Sequence, residues 1–172
     1  MIVLPEPPHL APPDERVRIS YLTGELADCR FKESDTAWLA ESSRDFAAFT
    51  AERRGVRPRW GVPSTIFWWV AGEHYLGTLV LRHELTPELE QVGGHIGYHV
   101  VFPWRRQGHA TRMLTAGLRE AATIGLEEVL VTCRHDNVPS RRTILANGGE
   151  PAGTADGEDR FRIRIAGAAS GA

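Results

Sequence analysis

The sequence predicts a mixed α/β domain, and three observations carry that expectation. Apolar residues recur with helical spacing over 110–124, at Met113, Leu114, Leu118, Ala121 and Ala122. The unbroken apolar run Val129-Leu130-Val131 follows closely and reads as a strand buried on both faces. Upstream, Ser64-Thr65-Ile66-Phe67-Trp68-Trp69-Val70 and Tyr75 to Leu81 flank the turn Ala71-Gly72-Glu73. Their β-branched and aromatic content predicts a hairpin.

The remaining elements fall around these. Residues 1–15 hold five prolines and little periodicity, which predicts an irregular arm. Val17-Arg18-Ile19-Ser20-Tyr21-Leu22 alternates apolar and polar residues, the pattern of a half-buried strand. Gly24 to Lys32 is open to more than one reading. A helical pattern begins at Asp35, a candidate N-cap, and carries Trp38, Leu39, Phe46 and Phe49 before fading at Arg53-Arg54-Gly55. Val56 to Pro63 reads as a loop holding Trp60, and Arg82 to Gly93 as a polar connection with a turn of helix near Pro87-Glu88-Leu89. A strand is expected over 95–101, a helix over 110–124 ended by Gly125, a strand over 127–133 and a shorter helix over 137–146. Asn147-Gly148-Gly149 supplies the exit turn. Phe161 to Ile165 alternates cleanly and reads as a last strand at a sheet edge.

At 172 residues the chain fits one domain over 16–166 with a sizeable core, an arm over 1–15 and a disordered small-residue tail over 167–172. A net charge of −2 offers no basic field for DNA or RNA. No apolar run is long enough to cross a bilayer, and the N-terminus lacks the pattern of a secretory signal. The only cysteines are Cys29 and Cys133, so a disulfide framework is not expected and a cytoplasmic setting is. No set of residues has metal-ligand spacing: His95 and His99 sit four apart, but on a strand. Neither a Gly-x-Gly-x-x-Gly nor a Gly-Lys-Ser/Thr loop is present.

The sharpest motif is Arg105-Arg106-Gln107-Gly108-His109-Ala110-Thr111, a glycine-containing arginine turn between a strand and a helix. Backbone N–H groups and the helix dipole at such a turn suit a phosphate, and arginine can grip phosphate through two parallel hydrogen bonds. An ordinary solvated helix start is the competing reading. Downstream, Asn137 and Ser140 begin the next helix, where Asn137 can act as a simple cap.

Taken in order, these pieces resemble the GCN5-related N-acetyltransferase superfamily, and among it small bacterial acetyltransferases of unassigned substrate. Arg105-x-x-Gly108-x-Ala110 looks like its acetyl-CoA signature, and the likeness spans roughly 60–150. The resemblance implies a central, mostly antiparallel twisted sheet flanked by helices. It also implies acetyl-CoA as the acetyl donor, no metal, and pyrophosphate contacts from residues 105–111. Val100, Val101 and Phe102 would pair with the pantetheine arm, and Asn137 and Ser140 would contact CoA. Many relatives carry a tyrosine that protonates the leaving thiolate; the matching position here is Ile144.

Transfer to an amine needs a base, because the acceptor arrives protonated. His99 and Glu84 are the candidates. The expected acceptor is a small-molecule primary amine attacking directly in a ternary complex, with no nucleic-acid or membrane partner; a homodimer is compatible. A non-catalytic acyl-CoA-binding module is the alternative, supported by the missing tyrosine.

Overall fold

The computed structural model describes residues 3–165; the expected tail over 167–172 lies outside them. The helices are α1 (Arg18–Lys32), α2 (Ala37–Arg44), α3 (Phe46–Arg53), α4 (Pro87–Gln91), α5 (His109–Thr123) and α6 (Val138–Ala146). The strands are β1 (His9–Ala11), β2 (Val56–Arg59), β3 (Val62–Ala71), β4 (His74–Arg82), β5 (Ile96–Val100), β6 (Glu128–Arg134), β7 (Glu150–Ala155) and β8 (Glu158–Arg164). They form two antiparallel sheets, one in the order β1-β3-β4-β5 with β2 also paired to β3, the other in the order β6-β8-β7.

The two sheets meet where the residues before β5 bond to β6, Gly93 N donating to Thr132 Oγ1 at 2.9 Å. His95 N donates to Leu130 O at 2.7 Å, and Leu130 N donates to His95 Nδ1 at 2.9 Å. Gly94 makes this approach possible: its φ is +60°, and a Cβ there would overlap the Leu130 carbonyl. Among the described residues no ladder joins β5 to β6, so beyond this contact β5 is an unpaired edge of its sheet.

Helices cover the larger sheet on both faces. On one face α5 buries Met113, Leu114 and Ala121, and its Gly117 packs against Leu79 of β4. On the other, α1 lays Tyr21 on Trp68 (4.6 Å between centroids) and beside Tyr75 (4.7 Å). α3 adds Phe46 to the same aromatic cluster. Neighbours on a strand point to opposite faces, so His99, Gly97, Thr78, Val80 and Arg82 lie on the α1 face and Tyr98 and Leu79 on the α5 face.

Five sequence readings are corrected. The strand expected at Val17–Leu22 is a 3-10 turn leading into α1. Its buried positions Val17, Tyr21, Gly24, Glu25 and Asp28 follow a helical period, but three of them are Gly, Glu and Asp, which hides the stripe. The single helix from Asp35 is two helices broken at Asp45, whose carboxylate caps α3 by accepting from Ala48 N at 2.9 Å. Residues 56–59 are a strand rather than a loop, and β1 ties the proline-rich N-terminal stretch to β3. The last strand, β8, is central and not at an edge, because Glu150–Ala155 supplies an outer strand with an irregularity after Pro151.

Candidate functional site

Between β5 and α5 the chain makes a 3-10 turn at Phe102–Trp104 anchored by buried Trp104. Arg106 (φ 63°) and Gly108 (φ 75°) then both adopt left-handed backbone. Gly108 is the N-cap of α5, and no side chain caps it. The first backbone bond runs from Arg112 N to Gly108 O at 3.3 Å, which leaves the amides of His109, Ala110 and Thr111 without helical acceptors. Those amides, the helix dipole and the exposed Arg106 form a cradle suited to an anion. A phosphorylated group fits it without displacing any side-chain cap. Gln107 borders it, its carbonyl accepting from Arg112 Nη2 at 3.2 Å.

Not every residue of the arginine turn faces this cradle. Arg105 points back into the fold: its Nε donates to Val100 O at 2.9 Å, and its guanidinium pairs with buried Asp28 of α1. His109 is buried, and its Nδ1 accepts from Arg112 Nη2 at 3.1 Å and Trp69 Nε1 at 3.4 Å. Burial first, and the Arg112 charge second, push its pKa below the ordinary histidine value. Val101 N is spent on Leu76 O at 3.0 Å, and Phe102 is exposed and stacked on Phe31 at 4.5 Å.

On the α5 face of the sheet, Tyr98 OH meets Ser140 Oγ at 2.9 Å, and burial pushes the phenol up to about 12. Asn137 caps α6 by accepting from Ser140 N at 3.2 Å. Ile144 is fully buried in the core. Cys133 is buried, and burial raises its thiol pKa, which disfavours the nucleophilic thiolate. Asn147, read in the sequence only as part of an exit turn, ties α5 to α6. It accepts from Thr115 Oγ1 at 2.7 Å and donates to Thr111 O and Thr143 O.

On the α1 face, His99 Nε2 lies 2.9 Å from Glu25 Oε1. Tyr75 OH donates to the same oxygen at 2.5 Å and also contacts Thr78 Oγ1 at 2.8 Å. Glu25 is only 6% exposed, whereas the His99 side chain is 37% exposed. A buried carboxylate holding one ring nitrogen leaves the other available as an acceptor, the arrangement that makes imidazole a base. Nothing in the apolar pattern singled out Glu25; only the helical period of α1 reveals it as an inward carboxylate. Glu84 is not brought to His99. It is exposed in the bend after β4, six residues past Thr78, the β4 residue opposite His99, or roughly 20 Å of extended chain. His95 is held by β6 and does not join His99. Among the described residues no group of three or more His, Cys, Asp or Glu is placed to hold a metal, and no helix is long and apolar enough to cross a membrane.

Comparison with solved structures matches the fold. RimJ of Mycobacterium smegmatis, solved with a CoA disulfide, superposes with a TM-score of 0.68 at 21% identity, over 92% of this chain and 86% of that one. An acetyltransferase of Salmonella typhimurium described as modifying the N-terminal serine of ribosomal protein L7/L12 gives 0.60 at 17% identity, over 91% and 94%. The PaiA N-acetyltransferase of Thermoplasma acidophilum, solved with coenzyme A, gives 0.61 at 8% identity, over 92% and 99%. At such identities these likenesses establish the fold. Among curated proteins none matches the sequence. The acetyltransferase (GNAT) domain family matches residues 16–150, a span that holds strands β2 to β6, the uncapped α5 start and the His99–Glu25 pair, and the chain belongs to that family.

Proposed function

We propose that the chain transfers the acetyl group of acetyl-CoA to a primary amine by direct attack in a ternary complex, with His99 as general base. The amine is presented by a small molecule or by a peptide N-terminus. The observation that carries this reading is the half-exposed His99 imidazole held by buried Glu25, next to Val100 on the edge strand β5. Acetyl-CoA supplies the activated acetyl thioester.

The chain's own groups divide the remaining work. The free amides at the start of α5 and Arg106 bind the pyrophosphate. Arg105, by gripping Val100 O, fixes the strand edge beside which the thioester lies. His99 takes the ammonium proton through the ring nitrogen not held by Glu25, and Glu25 stabilises the imidazolium that results. Tyr98, a protonated phenol at neutral pH, supplies a proton to the departing thiolate in place of the tyrosine replaced by Ile144.

The test combines binding with turnover. Wild type should be stabilised by acetyl-CoA in thermal-shift and calorimetric titrations, and Gly108→Glu, which puts a carboxylate at the cradle, should lose that binding. His99→Gln should bind acetyl-CoA like wild type but release CoA thiol with an amine library on the order of 100-fold more slowly. No binding at millimolar acetyl-CoA would sink the cofactor site. Undiminished turnover in His99→Gln would remove His99 as the base.

A further inference from the structure

The α1 face of the sheet holds one charged group that the reaction above does not use. Arg82, at the end of β4, is 9% exposed. Its Nη1 donates to Gly93 O at 3.1 Å and Gly94 O at 3.0 Å. Its Nε is buried and has no hydrogen-bond partner. Among the described residues no carboxylate forms an ion pair with it, and burial alone lowers its pKa. A guanidinium binds a carboxylate best through two parallel bonds along one edge. Here Nη1 is occupied by main-chain carbonyls and Nε is buried, so Nη2 is the donor left to offer. A buried, unpaired cation with an unfilled donor is costly to keep without a counter-charge.

The position of Nη2 gives it meaning. Arg82 reaches across to Gly97 of β5, where both Nη atoms lie 3.8 Å from the point a Cβ would occupy. Gly97 and His99 are alternate residues on the same strand face, so the guanidinium lies beside a position about 7 Å along the strand from the His99 Cα. A side chain at 97 would fill the space between them; glycine leaves it open. Trp60 packs against the guanidinium, its ring centroid 4.5 Å from Cζ. Trp60 sits in the β2–β3 turn at φ 53° and is 52% exposed. A left-handed backbone is unfavourable for tryptophan, and here it lays the ring on the cation.

We propose that Arg82 is the acceptor-recognition residue: its free Nη2 binds a carboxylate carried within a few bonds of the amine that His99 deprotonates. The acceptor is therefore an amino acid or a peptide with an acidic residue next to its N-terminus; both offer the same chemistry. This rests on the proposed acetyl transfer and adds the class of acceptor to it.

Two acceptor pairs and one binding measurement test it on the full chain. Thiol release is compared for alanine against alaninamide, and for Ala-Asp-Ala amide against Ala-Asn-Ala amide. The acid member should be favoured in kcat/KM on the order of 10- to 100-fold in at least one pair, the free amino acid or the peptide identifying the source. The less basic amine of alaninamide would by itself favour the amide in the first pair. Arg82→Met should bring the favoured ratio to about one, and Arg82→Lys should restore part of it. Loosening of the Gly93-Gly94 turn would slow both members of a pair together and leave the ratio unchanged. Separately, the arginine Nε–H resonance missing from Arg82→Lys should move on titration with N-acetylalanine or the N-acetylated acidic peptide, and not with their amides. Equal rates within both pairs, a ratio that survives Arg82→Met, or a resonance that neither acid moves would overturn the proposal. A resonance that moves in a protein that acetylates nothing would leave Arg82 as a carboxylate site and reject the acetyl transfer instead.

Discussion

Glu25→Gln isolates the role of the buried carboxylate. The substitution keeps shape and volume at a site 6% exposed and removes only the charge. In wild type one oxygen accepts from Tyr75 OH at 2.5 Å and faces His99 Nε2 at 2.9 Å. The glutamine carbonyl can still accept one bond, and Tyr75 keeps Thr78 Oγ1 at 2.8 Å, so no buried hydroxyl is orphaned. Exchanging bonds to a charged acceptor for bonds to a neutral one costs about 1–2 kcal/mol of stability. The effect on catalysis has a different origin. When His99 takes a proton, the imidazolium stands against a carboxylate, an attraction of about 4 kcal/mol at contact with an effective dielectric near 20. The His99 side chain is 37% exposed, so solvent screens part of that, and about 2 kcal/mol is a fair share, or ~30-fold in kcat. Steady-state thiol release should therefore fall ~30-fold while the calorimetric Kd for acetyl-CoA, bound at the start of α5, stays at the wild-type value. A Glu25→Gln enzyme within twofold of wild-type kcat would refute the dyad. So would one whose loss lies wholly in acetyl-CoA binding.

Three further outcomes follow from the same contacts. His109 and His95 are both held below the ordinary histidine value chiefly by burial, so the unfolded chain takes up their protons first as pH falls through about 6.5, and stability must drop from there downward. The depressed carboxylates Asp14, Asp136 and Asp159 add their loss only below about pH 4; urea unfolding that is flat from pH 7 to 5 would contradict the histidine assignment. Tyr98→Phe removes the hydroxyl shared with Ser140 and should lower kcat roughly 10-fold with acetyl-CoA binding intact, whereas an unchanged kcat would leave the thiolate to depart unassisted. Asp28→Ala strands Arg105 without its carboxylate; with the Arg105 side chain 29% exposed, about 2 kcal/mol of stability should be lost, and a thermal midpoint equal to wild type would show that the Val100 O contact alone holds the turn.

The part of this protein that can be read from its residues is the part where burial and apolarity coincide. The hairpin β3–β4, helix α5 and strand β6 each present apolar side chains to the core with a regular period, and the structure follows that period. The α5 start was equally legible, because a left-handed glycine after an arginine turn is a backbone requirement that shows in residue type. β7 was hidden for the opposite reason: Glu-Pro-Ala-Gly-Thr-Ala carries no strand signal, and its place is fixed by pairing with β8.

Helix α1 was misread for a reason tied to function. A helix facing a core shows apolar residues at three- and four-residue intervals, but the inward side of α1 carries Gly24, Glu25 and Asp28 beside Tyr21. Each of these exceptions has a contact that explains it. Gly24 admits Val101, whose nearest side-chain atom lies 3.1 Å from the Cβ it lacks; Glu25 holds His99; Asp28 holds Arg105. The last two contacts run to either side of Val100, on the strand edge proposed to receive the thioester. Burying two carboxylates in one helix face costs stability unless each is paired; Glu25 is paired with His99 and Tyr75, Asp28 with Arg105 and Lys32, and the proposed acetyl transfer assigns work to His99 and Arg105. The local rule broken by α1 therefore coincides with the proposed site, as expected where function competes with folding. Arg82 belongs to the same argument: β4 is otherwise well patterned, and its one buried cation without an acid partner lies on the face that α1 shares with His99.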